Sequence, residues 1–119
     1  MAKPSIKSNP ILYISVTSAE ALEPFRFVKA SGAYADANEL MIGVTEIAWD
    51  SGDICSLIAG GTAIVESSEA INAGDWVSSA NDGKAKVKDA TEQLAGISLT
   101  TVGAAGYIEV LFFPQFVSL

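Results

Sequence analysis

Glycine, asparagine and aspartate recur in tight clusters along this chain, and only short runs of β-branched and aromatic residues fit between them. The separators are Asp50-Ser-Gly-Asp53, Gly60-Gly61, Asn81-Asp82-Gly83 and Gly103-Ala-Ala-Gly106. Each supplies residues that tolerate positive φ, and the second and third read as hairpin turns. The runs they help to bound are strand candidates at 11–17, 25–30, 40–47, 54–58, 62–66, 75–78, 84–88, 94–99 and 107–113. Short strands at this spacing predict an all-β domain, either a small barrel or a sandwich. The one helical candidate is a single turn from Ser18 to Glu23, capped by Ser18 and stopped by Pro24.

A chain of 119 residues with 50% hydrophobic side chains fills one core and needs neither metal nor disulfide to fold. Residues 11–119 therefore read as a single β-rich domain. Residues 1–10 read as an extended N-terminal arm. Pro4 and Pro10 hold their neighbours extended, and Ser5, Ser8 and Asn9 offer no helical period. Ile6, alone among polar neighbours, is the residue with which such an arm would dock.

The chain contains no histidine, which removes the commonest general base and zinc ligand, together with Ser-His-Asp and Cys-His catalysis. Its single cysteine, Cys55, can form no internal disulfide and reads as a small buried residue. Asp50 and Asp53 share a turn but supply too few oxygens for calcium or magnesium. Gly60-Gly61 leads into a strand rather than a helix, so it is no phosphate loop. We therefore expect no enzyme, metal or cofactor. The 14 acidic residues against 7 basic ones argue against nucleic acid, whose phosphates call for clustered Lys and Arg.

Lys3 and Lys7 followed by Ile11 to Val16 only faintly imitate a signal peptide, because the apolar run is too short. No stretch approaches the ~18 continuous apolar residues of a membrane span. Synthesis in the cytosol is the expectation, with retention there or assembly there into something larger. Charged residues make up only 18% of the chain, below the roughly 25% usual for soluble domains, so apolar surface is expected to meet a partner. The charge is also uneven. Residues 1–29 carry a net +2, while residues 30–83 contain no basic residue and carry −9.

Three further features are candidate contacts. Lys84, Lys86 and Lys88 alternate with Ala85 and Val87, so on a strand their ammonium groups share one face. They fit a protected edge or a subunit interface with an acidic partner surface. Phe112, Phe113 and Phe116 surround Pro114, and one strand cannot bury them all, which marks them as interface candidates. Trp49 and Trp76 read as core residues first and as interface anchors second. The alternative function, a soluble ligand- or carbohydrate-binding β-domain with these rings as stacking platforms, requires at least one of them to face solvent.

Taken together, Phe25-Arg-Phe-Val28, Ile42-Gly-Val-Thr45, Asp50-Ser-Gly-Asp53, Gly61-Thr-Ala-Ile-Val-Glu66, Ala70-Ile-Asn-Ala-Gly-Asp-Trp-Val77, Asp82-Gly-Lys-Ala85, Ala95-Gly-Ile97 and Gly106-Tyr-Ile-Glu-Val-Leu111 resemble the capsid cement, or head decoration, family of tailed bacteriophages. The resemblance covers about three-quarters of the chain. It implies a tulip-like β fold related to the lambda-type decoration protein. It also implies a structural function: binding the outer surface of the expanded head and stabilising contacts between major capsid protein subunits. The virion is then the location, after synthesis in the host cytoplasm, and a homotrimer is the expected state. The arm residues Lys3, Pro4, Ile6, Lys7 and Pro10 would reach the shell by strand addition.

Overall fold

The structure is a computed structural model that describes residues 6–115. Eight strands follow one another: β1 (Asn9–Thr17), β2 (Phe27–Lys29), β3 (Met41–Thr45), β4 (Ile54–Glu66), β5 (Trp76–Ser79), β6 (Ala85–Val87), β7 (Leu94–Ser98) and β8 (Tyr107–Gln115). A single 3-10 turn, Asn81–Gly83, joins β5 to β6. The strands form one sheet in the order β2-β3-β4-β8-β7-β5-β6, with β1 paired to β4. Every pairing between named strands is antiparallel.

The sheet curls into a nearly closed barrel, as the all-β reading expects. Its two ends meet through side chains and loops. Arg26, just before β2, donates to Glu66 at the end of β4 through Nε and Nη2, and to the Asp82 carbonyl through Nη1. Lys84 adds a second cation 3.5 Å from Glu66. Gly83, at φ +72°, lies against the Phe27 backbone, where a Cβ would collide with the Phe27 carbonyl oxygen. Only glycine allows the 3-10 turn and β2 to come this close.

Alternation sorts the side chains into two cores. Inside the barrel, Phe27, Met41, Val44, Ile58, Val65, Val77, Ile108, Val110 and Phe112 pack together. On the opposite face of β2 and β4, Val28, Cys55 and Leu57 form a smaller core with Leu22, covered by Ile14, Val16 and Trp49. Strands apolar on both faces explain why their sequences read as nearly continuous hydrophobic runs. Cys55 is fully buried, as expected.

Four local expectations fail, for a common reason. Gly60-Gly61 is no hairpin turn: it lies inside the 13-residue β4, which pairs with β1, β3 and β8. The two predicted strands at 54–58 and 62–66 are therefore one. Ser18 caps no helix. Its Oγ donates to the Asp50 carbonyl and accepts from Asp53 N at 3.1 Å, tying two loops together, while Leu22 bridges to Trp49. Phe25 has φ +65° and lies outside β2, with its ring edge-on to Tyr107 at 5.6 Å. Phe112, a candidate for the subunit interface, is 3% exposed and stacks on Phe27 at 6.0 Å inside the barrel. In each case a partner distant in sequence outweighs the local preference.

Candidate interaction surface

Among the described residues, no group of three or more His, Cys, Asp or Glu side chains could hold a metal ion. The surface that stands out is β1. It pairs with β4 along one edge, and among the described residues no strand pairs with its other edge. A regular strand with one buried face would hide every second side chain. Here the register shifts between Pro10 and Leu12 and again between Leu12 and Tyr13, which breaks that alternation. Ile11, Leu12 and Tyr13 consequently all face solvent, with Ile11 83% exposed. Ile14 and Val16 then turn into the second core and anchor the strand.

The start of β1 is held by polar contacts. Asn9 N donates to Thr62 Oγ1 at 2.8 Å, and Ile64 N donates to Ser8 Oγ at 3.3 Å. Pro10 sits opposite Gly61, in the edge position that proline tolerates. The strand thus begins inside the segment expected to be an arm. Ile6 is half-buried and Lys7 exposed, whereas Lys3 and Pro4 lie outside the described residues. A hydrogen bond from the Tyr13 hydroxyl to Glu46 raises the tyrosine's pKa.

The lysine row lies on and beside β6, and each ammonium group already has an acceptor within the chain. Lys84 faces Glu66, Lys86 contacts Glu92 at 2.8 Å and Asp89 at 3.4 Å, and Lys88 donates to the Asp89 carbonyl. Glu92 is the centre of this cluster. Its Oε1 accepts from Ser78 Oγ, Lys86 Nζ and Asp89 N, which ties β5, β6 and the following loop together. Burial by itself would raise the Glu92 pKa, but these hydrogen bonds and the Lys86 charge hold it below the ordinary carboxylate value. The same hydrogen bond raises the Lys86 pKa.

A depressed carboxylate pKa stabilises the fold above its unfolded value and loses that contribution as pH falls through the folded value. We expect Glu92→Gln to cost about 1–3 kcal/mol at neutral pH. The variant should also show a shallower loss of stability than the wild type below about pH 4.3, the ordinary glutamate value. Thermal melts across pH 3 to 7 measure both, and an unchanged acid limb would overturn the assignment.

The remaining candidates separate. Phe113 is half-buried, and Phe116 lies outside the described residues. Trp49 packs against the second core, and its Nε1 is buried without a hydrogen-bond partner. Trp76 is not a core residue: it is 54% exposed on β5. The row Ile11-Leu-Tyr13 escaped the sequence reading because a weakly alternating run suggests one buried face, and bulges leave no residue signature. The signal available was three consecutive apolar residues beside Pro10.

A family model described as phage cement protein matches residues 6–112 of the chain. Among solved structures, the head fiber gp8.5 N base of bacteriophage phi29 superimposes with a TM-score of 0.72 at 14% identity, covering 90% of this chain and 98% of that one. At this identity the likeness concerns the fold. No curated protein matches the chain in sequence.

Proposed function

This chain belongs to the phage cement protein family, whose members have a structural, capsid-associated role, and from that premise we propose that it binds the outer surface of the expanded head and braces neighbouring major capsid protein subunits. The observation that carries the proposal is β1, with one edge free among the described residues and Ile11, Leu12 and Tyr13 turned outward. A free edge gains main-chain hydrogen bonds by adding a strand from a partner, while outward apolar side chains supply buried area and register. The arm, with Lys3, Pro4, Ile6, Lys7 and Pro10, extends this surface, and its two prolines limit the freedom lost on binding.

Charge supports the same orientation. The net +2 of residues 1–29 lies with the arm and β1, and the −9 of residues 30–83 falls on other parts of the chain. A trimer would bind through several copies of a modest contact, multiplying the hold by effective concentration. The half-buried Phe113 is a candidate subunit contact, as is Phe116. The lysine row can contribute only where a partner carboxylate competes with Glu66, Asp89 and Glu92.

The test is a double substitution, Ile11→Lys with Tyr13→Lys, at two exposed positions, in a variant whose thermal melt is checked against the wild type. Binding to expanded capsids stripped of this protein, measured by co-sedimentation, is expected to fall at least about tenfold, since about 1.4 kcal/mol of lost contact suffices for that. Undiminished binding by the folded variant would sink the β1 assignment. Light scattering of the wild type should give three times the chain mass, and a monomer at all concentrations would remove the trimer.

A further inference from the structure

At the other end of the sheet, Trp76 lines a cleft together with Gly74, Asp75, Val87, Lys88, Asp89 and Ala90. In the strand order this site lies three steps from β4, across β8 and β7. The cleft holds about 280 Å³, at the small end of the roughly 300–1,000 Å³ typical of ligand pockets, which suits a ring or two rather than an extended chain. Gly74 has φ +93°, and a Cβ there would meet nothing within 4 Å.

The frame around the indole is fixed. Asn72 N donates to Asp75 Oδ2 at 2.8 Å, Gly74 N to the Ser98 carbonyl at 2.7 Å, and Ser98 N to the Asp75 carbonyl at 2.9 Å. Lys88 N donates to the Trp76 carbonyl at 2.8 Å, which pins the opposite wall. A ligand entering here would not have to order a loop, and that lowers the cost of binding.

We infer that this cleft is a saccharide-binding site, in which one pyranose ring stacks its C–H face on Trp76 while its hydroxyls donate to the carboxylates of Asp75 and Asp89 and accept from Lys88. An exposed indole alone would fit a protein contact equally well. Anchors of protein interfaces, however, sit in patches depleted of charge, whereas three of the seven residues that line this cleft, Asp75, Lys88 and Asp89, are charged. Charged acceptors beside an aromatic face match a ligand that is apolar on its ring face and hydroxylated at its rim. Those two carboxylates also disfavour a phosphate or another anion. The inference stands apart from the capsid reading, because it uses none of the residues of β1.

The experiment is a titration of the isotope-labelled wild type with three probes, cellotriose, maltotriose and the N-acetylglucosamine trisaccharide, followed through the two indole N–H resonances and assigned with Trp76→Phe. At least one probe should shift the Trp76 signal saturably at millimolar concentration and leave Trp49 in place. Trp76→Ala should weaken that binding at least about tenfold, the equivalent of 1.4 kcal/mol, and Asp75→Asn should weaken it several-fold. Both variants should melt close to the wild type, since the indole is largely exposed and Asp75→Asn keeps a side-chain oxygen to accept from Asn72 N, as Asp75 does. If none of the probes moves the Trp76 resonance, or both indoles shift together, the site is not a saccharide site. Broadening of the Trp76 signal that grows with protein concentration alone would assign the cleft to a second copy of the chain and overturn the inference.

Discussion

Replacing Phe112 with alanine is expected to destabilise the isolated subunit by about 3–5 kcal/mol, the usual cost of emptying a buried aromatic site. The ring is almost wholly buried and stacks on Phe27 with planes 22° apart. It joins β8 to β2, strands that are not neighbours in the sheet order, so the cavity would open in the middle of the barrel where neither wall can collapse freely. For a domain of this size that loss lowers the melting temperature by roughly 10–20 °C. The loss should appear at every protein concentration, because the contact lies within one chain. Phe113→Ala, at a half-buried position, should cost far less in the isolated subunit. A concentration-dependent melt for Phe112→Ala, with little change in the dilute subunit, would return this residue to an interface and contradict the barrel packing.

Gly61→Ala is the second large effect. Gly61 has φ +89°, and a Cβ built there would collide with the Asn9 carbonyl oxygen and stand 2.9 Å from Ile11 N. Both obstacles are backbone atoms of β1, so no side chain can rotate away to relieve them. The positive φ adds strain of about 1–2 kcal/mol to the clash. We expect a total of about 2–4 kcal/mol, expressed as detachment of the first half of β1. Amide exchange should accelerate from Asn9 to Tyr13 while the inner barrel strands β7 and β8 stay protected. Capsid binding should fall with it, since the exposed row would lose its support. Unchanged exchange along β1 would show that the two strands absorb the added methyl without separating, and would overturn the prediction.

The two glycines at 60 and 61 show what local patterns can and cannot report. Paired glycines state correctly that the backbone needs unusual freedom there. They do not say whether that freedom serves a turn or a close approach by another strand. Here the second holds, because β4 passes from the β1 and β3 contacts to β8 at this point. The Asn81-Asp82-Gly83 turn was legible because the chain reversal that it makes between β5 and β6 is local, although its close approach to Phe27 was not. Ser18 offered an equally good local signal for a helix, yet its hydroxyl serves Asp50 and Asp53, more than thirty residues away. The Arg26–Glu66 pair, which helps close the barrel, has no sequence signature at all, since its members are forty residues apart.

The sequence alone determined that the chain is all β, that Cys55 is buried, and that no histidine is available to it. Those properties depend on backbone preference and composition, which each residue carries with it. Only the tertiary structure decided which aromatics lie inside. Phe112 and Trp76 have the same hydrophobic character in sequence, but Phe112 lies buried inside the nearly closed barrel and Trp76 lies exposed beside an open cleft. It alone also decided that Ile11, Leu12 and Tyr13 face outward together. Exposure depends on which strand lies across the sheet and where the register slips, and both are set by pairings between residues far apart in the chain.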